Sequence, residues 1–183
     1  MEQADYNAQV DARARTSLEA ACERVQEYSL WSVHAPMTID PDPEEITRAT
    51  RRTLWRGEER PAQELMGGPF EILPAMLVYC RWTDALSDEG RTLLREFLTL
   101  AHFERGNTEN HWLMYYAGLL LACERFADEE FTWNGLPPAA LAAEAKRWIL
   151  GTIERSARLG HHEYDSTGYH IEHMVAYIGL YEH

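Results

Sequence analysis

Three kinds of feature are missing from this 183-residue sequence, and each absence excludes a class of protein. There are only three cysteines and no CxxC spacing, which argues against a disulfide framework and a zinc knuckle. No apolar run is long enough to span a bilayer, since the best one covers only residues 113–123. The N-terminus has early acidic residues and no apolar core, unlike a secretory signal. We therefore expect a cytoplasmic protein with no membrane partner.

Positive charge is scarce as well. Lysine and arginine together number 17, against 30 aspartates and glutamates, which gives a net charge of −13. A field of this sign repels nucleic acid, so we expect no nucleic-acid partner. The sequence also lacks a phosphate-cradling glycine loop and an HExxH motif. From these absences we assign no cofactor and no metal-ligating residue.

What the sequence does contain is helical periodicity. Apolar residues recur about every 3.6 residues along most of the chain, and no strand-type alternation is visible. The pattern predicts an all-α fold of about seven helices, arranged as antiparallel helical hairpins in a single domain over residues 1–183. The proline-rich segment 32–43 is predicted to be a loop between helices.

Polar residues open the most apolar of these helices, which is predicted to run from residue 109 to about residue 126. Glu109, Asn110 and His111 supply an acid, an amide and an imidazole in succession. A rigid helix end holds such groups more firmly than a loop does, which favours a binding or catalytic site. Asn110 can donate to a carboxylate, and His111 can remove a proton near neutral pH. The alternative is a helix start with ordinary capping residues.

A second polar cluster lies on the final helix. Tyr177 and Tyr181 follow His173 by four and eight residues, so the three side chains share one helical face. A base is thereby aligned with two phenols, and tyrosine is a plausible general acid. The alternative is an amphipathic interface stripe, where tyrosine and histidine are common.

The same region is rich in groups that bind metals. Without a fixed metal spacing, they require partners from elsewhere in the chain to form a site. The nitrogen and oxygen donors in this region are His161, His162, Glu163, His170, Glu172 and His173.

Taken together, the two clusters resemble the α/α-toroid polysaccharide lyases, a group with alginate, chondroitin and hyaluronate lyases and heparinase-like proteins. The run from Asn110-His111-Trp112 to Gly118 resembles the asparagine-bearing helix of that group. Residues 165–181 resemble its later motif, which has an Asp-Gly-Ser-aromatic start, a histidine, and then Val-Ala-Tyr-x-Gly-x-Tyr. Here the last part reads Val-Ala-Tyr-Ile-Gly-Leu-Tyr over residues 175–181.

The resemblance implies part of an (α/α) toroid that cleaves a uronic-acid-containing polysaccharide by β-elimination. Asn110 would neutralise the sugar carboxylate, and His111 or His173 would remove the ring proton. Tyr177 or Tyr181 would protonate the departing oxygen. The oligosaccharide or small-molecule substrate would be bound by Glu109, Trp112, Tyr115, Trp133, Glu163, Tyr169 and His170.

Two other functions are compatible with the residues. The chain is alternatively a non-catalytic helical interaction or assembly module, or a metal-dependent hydrolase that uses the C-terminal histidine cluster. The final apolar helix is still in progress at His183. We therefore expect a homo-oligomer, a partner chain or further residues to complete the helical fold.

Overall fold

The structure is a computed structural model that describes residues 3–23, 29–131, 135–162 and 166–183. Within these ranges the chain is mostly helical, which confirms the all-α prediction. The described ranges contain eight α-helices: α1 (Gln3–Cys22), α2 (His34–Ile39), α3 (Pro43–Leu54), α4 (Pro69–Trp82), α5 (Asp88–Leu100), α6 (Glu109–Arg125), α7 (Pro138–Leu159) and α8 (Thr167–Glu182). None of these helices is both long and apolar enough to cross a membrane.

Several helix ends have the capping chemistry that the sequence indicates. The side chain of Asp42 accepts from the backbone N–H groups of the first turn of α3, and Ser87 does the same for α5. Ser166 caps α8 by accepting from the backbone of Tyr169. Gly160 follows α7 with a φ of 76°, a left-handed conformation that glycine adopts at little cost.

Helix α6 is the centre of the packing. It packs against α4, α7 and α8, and its residues from Leu113 to Cys123 are all buried. Gly118 permits the close approach to α4, because a Cβ atom there would lie 3.2 Å from both the Ile72 side chain and the Leu73 backbone. The start of α6 is therefore held by packing on three sides, which is the rigidity that a site at this position needs.

Two local predictions were wrong. Residues 32–43 are not a loop, because a 3₁₀ turn over Leu30–Val33 leads directly into α2. Pro36 lies in the first turn of α2, where a missing N–H costs no intrahelical hydrogen bond. A short parallel ladder also joins β1 (Met66–Gly67) to β2 (His102–Phe103), and two-residue strands are too short to produce a visible alternation.

Exposed segments contrast with this core. All residues of α1 within the described range are at least partly exposed, and α1 contacts α2. On α8, an apolar stripe faces outward at Ile171, Met174, Ile178 and Tyr181.

Candidate functional site

The three polar residues that open α6 point in three different directions. Successive residues of an α-helix are rotated by about 100°, so neighbours in sequence cannot share a face. Glu109 turns toward His162 and His173, Asn110 toward Glu172 on α8, and the His111 ring lies against Phe70. The first two bring the start of α6 onto the start of α8. The two sequence clusters therefore meet, although His111 faces away from the junction.

Asn110 joins the two helices. Its side chain is buried, with 1% exposure, and its amide nitrogen donates to the Glu172 carboxylate. Its carbonyl oxygen accepts from the Thr108 hydroxyl. With both polar atoms bonded inside the protein, Asn110 lies beneath the surface, where it holds α8 against α6.

Glu109 is the residue on which the site converges. Its Oε2 accepts from the backbone N–H of His162 at 2.8 Å. The same oxygen lies 3.8 Å from His161 Nδ1 and 4.0 Å from His173 Nε2, while Oε1 lies 3.6 Å from His162 Nδ1. One carboxylate is thus surrounded by three imidazoles from two separate segments.

His173 is almost fully buried, with 2% exposure. Its Nδ1 is 2.8 Å from the backbone carbonyl oxygen of Tyr169, so this nitrogen carries the proton and donates. Its Nε2 faces Glu109 and has no hydrogen-bond partner among the residues that the structure describes. A buried acceptor without a partner is unfavourable by roughly 1–3 kcal/mol, which makes this nitrogen a notable feature of the fold.

His161 completes a compact group with Glu109 and His173. The two imidazole centroids are 4.2 Å apart, and one ligand atom from each of the three residues lies within 4.8 Å of the other two. His161 Nδ1 also lies 3.3 Å from the Ser156 hydroxyl. Tyr177 approaches from the far side, 6.0 Å from His161 between ring centroids. Burial raises the pKa of the Tyr177 phenol, and Ser156 opposes that rise.

A cleft of about 340 Å³ opens beside this group. The Trp112 and Trp148 rings meet edge to face there, with 6.2 Å between centroids. The Arg105 guanidinium lies 4.0 Å from the Trp112 ring centroid, an attractive cation–π contact that holds this indole in place. The lining residues are Asn107, Thr108, Glu109, Trp112, Trp148, Arg155 and His162. The cleft therefore combines two aromatic walls with one carboxylate, one imidazole and one guanidinium.

Other residues proposed from the sequence lie elsewhere. Tyr181 is 92% exposed near the opposite end of α8, two turns beyond His173. Tyr115 is buried in the core, where burial raises the pKa of its phenol. Tyr169 is exposed, and His170 is partly exposed in the first turn of α8. Trp133 and Glu163 lie outside the described residues.

The cleft residues that sequence reasoning missed include Trp148 and Arg155. They are seven residues apart in the middle of α7, so they share a helical face with each other. Their spacing is the same as that of any amphipathic helix, and only the packing of α7 on α6 reveals their role. Two of the cysteines are poor nucleophiles, since burial raises the pKa of Cys80 to about 11 and of Cys123 to about 12.

Comparisons with models of protein families, with curated proteins and with solved structures found no match for this chain.

Proposed function

We propose that the cleft beside α6 binds an acidic sugar unit of an oligosaccharide and cleaves the adjoining linkage by β-elimination. The proposal is supported by one observation: a guanidinium, two indoles and an imidazole beside a carboxylate line the same opening. A volume of about 340 Å³ suits a ligand the size of one or two sugar rings. The starts of α6 and α8 lie together, which agrees with the lyase resemblance. The proposal includes the toroid arrangement of helices that this resemblance implies.

Binding in the cleft uses complementary surfaces. Arg105 covers one face of the Trp112 indole and Tyr116 stacks on one face of Trp148, so a sugar ring packs on the surface that each indole leaves to the cleft. Arg155 lies in the same lining and is exposed; its Nη2 donates to the Thr152 hydroxyl, and its remaining N–H groups can pair with a uronate carboxylate. In this arrangement Arg155 takes the charge-neutralising role that the resemblance gives to Asn110, because Asn110 is buried and fully occupied by Glu172 and Thr108.

The proton transfers fall to His162. Its ring is 83% exposed, and its Nδ1 faces Glu109, which leaves Nε2 available to the substrate. His162 removes the proton from the carbon that carries the carboxylate. The electron pair of that C–H bond forms a carbon–carbon double bond, and the neighbouring carbon–oxygen bond breaks. The departing oxygen takes a proton, which the imidazolium returns, so no water or oxidant is consumed. Arg155 stabilises the negative charge that develops on the carboxylate.

The test is to supply uronate polymers and monitor the ultraviolet absorbance of the unsaturated product. We expect His162→Ala to lower the rate by about 10²–10⁴-fold, the usual contribution of a general base. Arg155→Ala should lower both affinity and rate. Arg158→Ala is the matched control, because this arginine is three residues further along α7 and pairs only with exposed Glu154 among the described contacts. Absence of product from all acidic polymers, or equal rates in His162→Ala and wild type, would remove the proposal.

A second candidate function is a non-catalytic assembly module, and the apolar stripe of α8 favours it. Exposed apolar residues along one helix face commonly mark a protein interface. The expected occupant is a second copy of the chain, because a helix face packs readily against its own twofold-related copy. Light scattering should then give a dimer that Met174→Glu and Ile178→Glu dissociate. A monomer at all concentrations would contradict this function.

A further inference from the structure

We infer that Glu109, His161 and His173 bind a divalent transition-metal ion. They come from the start of α6, the connector after α7 and the first half of α8, and the fold brings their ligand atoms within 4.8 Å of one another. Two imidazoles and one carboxylate are a donor set that suits zinc and its neighbours in the first transition row. The inference goes beyond the elimination reaction and stands whether or not the cleft cleaves a saccharide.

An independent observation points to an ion at this place. His173 Nε2 is buried and faces Glu109, and within the described part of the chain it has no hydrogen-bond partner. Because Nδ1 donates to the Tyr169 carbonyl, the neutral ring presents a lone pair at Nε2. A metal-ligating histidine has this same arrangement, with the distal nitrogen anchored to a carbonyl and the other nitrogen directed at the ion. A bound cation would satisfy an acceptor that the protein itself leaves unsatisfied.

An ion pair between imidazolium and carboxylate explains the geometry less well. The Nε2–Oε2 separation is 4.0 Å, too long for the hydrogen bond that a charged pair forms when its donor and acceptor are free to meet. It is instead close to the separation of two ligands on one zinc ion. With bonds of about 2.0–2.2 Å in a tetrahedron, ligand atoms lie roughly 3.4 Å apart. The distances of 3.8 and 4.0 Å at Glu109 Oε2 require changes of about half an ångström, and the three ligand atoms, all within 4.8 Å of one another, require changes of up to about 1.4 Å.

The surroundings hold two of the three ligands in place. Glu109 accepts from the His162 backbone and His173 donates to Tyr169 through the nitrogen that faces away from Glu109, whereas His161 Nδ1 must exchange its contact with the Ser156 hydroxyl for the ion. The first two contacts orient their side chains before an ion arrives, as the outer contacts of established metal sites do. Three protein ligands leave one position of a four-coordinate ion to water, which is the arrangement that metal-dependent hydrolysis requires.

The inference is tested with zinc alone and no saccharide. Protein stripped with a chelator is titrated with Zn²⁺ by calorimetry, and the loaded protein is analysed for metal after gel filtration. We expect one zinc per chain. His173→Ala and Glu109→Gln should each weaken binding by more than about 100-fold, because loss of a mere outer contact already costs 10–100-fold. Glu109→Gln keeps the size of the side chain, so it answers the question if His173→Ala fails to fold.

Two controls separate this site from other zinc-binding groups. His170→Ala removes a partly exposed histidine one turn before His173 and should bind zinc as wild type does. His162→Ala should also keep the zinc while it stops the proposed elimination, so failure of one idea is distinguishable from failure of the other. Absence of stoichiometric zinc would overturn the inference. So would zinc that survives His173→Ala and Glu109→Gln, or that is lost equally in His170→Ala.

Discussion

Two histidines of this protein share an unusual feature and differ in their neighbours. His34 and His173 each have a buried Nε2 for which no described residue supplies a hydrogen-bond partner. The His34 ring lies between Trp31 and Trp82, with centroids 5.9 and 4.9 Å away. Burial, with a smaller contribution from the positive charge of Arg81, lowers its pKa to about 4. His173 instead faces a carboxylate and a second imidazole.

The contrast shows that an unpartnered nitrogen alone does not indicate a ligand. The His34 ring packs against two tryptophans, and among the described residues it joins no cluster of three metal donors, so this imidazole is a neutral packing element. Around His173 the neighbours are two further donors at nearly the right separation. Whether a buried histidine with an unpartnered nitrogen can bind a metal therefore depends on the chemistry of the residues beside it.

The largest expected effect is that zinc stabilises the folded protein through His173 and not through His34. Zinc at about 1,000 times its dissociation constant should stabilise the wild-type fold by about 4 kcal/mol, because only the native state assembles the three ligands. His34→Ala should keep this stabilisation, and His173→Ala should lose it. Urea unfolding with and without zinc measures the difference. Equal zinc protection in both variants would make the two histidines equivalent.

The next effect concerns acid, and it singles out His34. The folded pKa of His34 is about 4 against 6.5 for an ordinary histidine, so between these pH values only the unfolded chain takes up the proton. Stability contributed by the neutral ring is therefore present above pH 6.5 and lost as pH falls toward 4. The loss is up to about 3 kcal/mol, at about 1.4 kcal/mol per pH unit.

His34→Gln isolates this contribution. Glutamine does not titrate, and its side-chain amide can still donate a hydrogen bond to a backbone carbonyl as the His34 ring does. The carboxylates that titrate in acid are the same in both proteins. The unfolding free energies of the variant and the wild type should differ at pH 7 and be closer to each other at pH 4.5. Two parallel curves would show that His34 does not contribute to the acid sensitivity.

A smaller effect on stability is expected at Asn110, a buried polar residue whose hydrogen-bond partners lie within the protein. Asn110→Ala leaves the Glu172 carboxylate and the Thr108 hydroxyl without their shared partner, which should cost about 2 kcal/mol. Asn107→Ala, on the exposed loop before α6, should change stability by less than about 0.5 kcal/mol. Thermal unfolding of the two variants compares them. A stability loss as small for Asn110→Ala as for Asn107→Ala would show that the α6–α8 bridge is weak.

Much of the fold follows from local chemistry. Apolar periodicity marks most helices, and in the structure the caps at Asp42 and Ser87 and the glycine after α7 fix where three of them begin or end. The segment that contains α2 was missed because three prolines suggested a break, although a first helical turn tolerates proline. The β1–β2 ladder was missed because two residues carry no period.

The site was predictable only in part. Glu109 and His173 were selected on residue type, and the fold does bring them together. The sequence alone cannot say which of three consecutive helix residues faces a cleft, so Asn110 and His111 were given roles that their directions do not suit. Arg155 has no local signal at all, because its position in the cleft depends on how α7 packs against α6.

X-ray absorption at the zinc edge of the loaded protein tests the central claim most directly. Coordination by Glu109, His161 and His173 predicts nitrogen and oxygen neighbours at about 2.0–2.2 Å, with the outer scattering of two imidazoles. In His173→Ala one imidazole should disappear from the pattern or the zinc should be absent. Sulfur neighbours at about 2.3 Å, or a shell without imidazole scattering, would contradict the account.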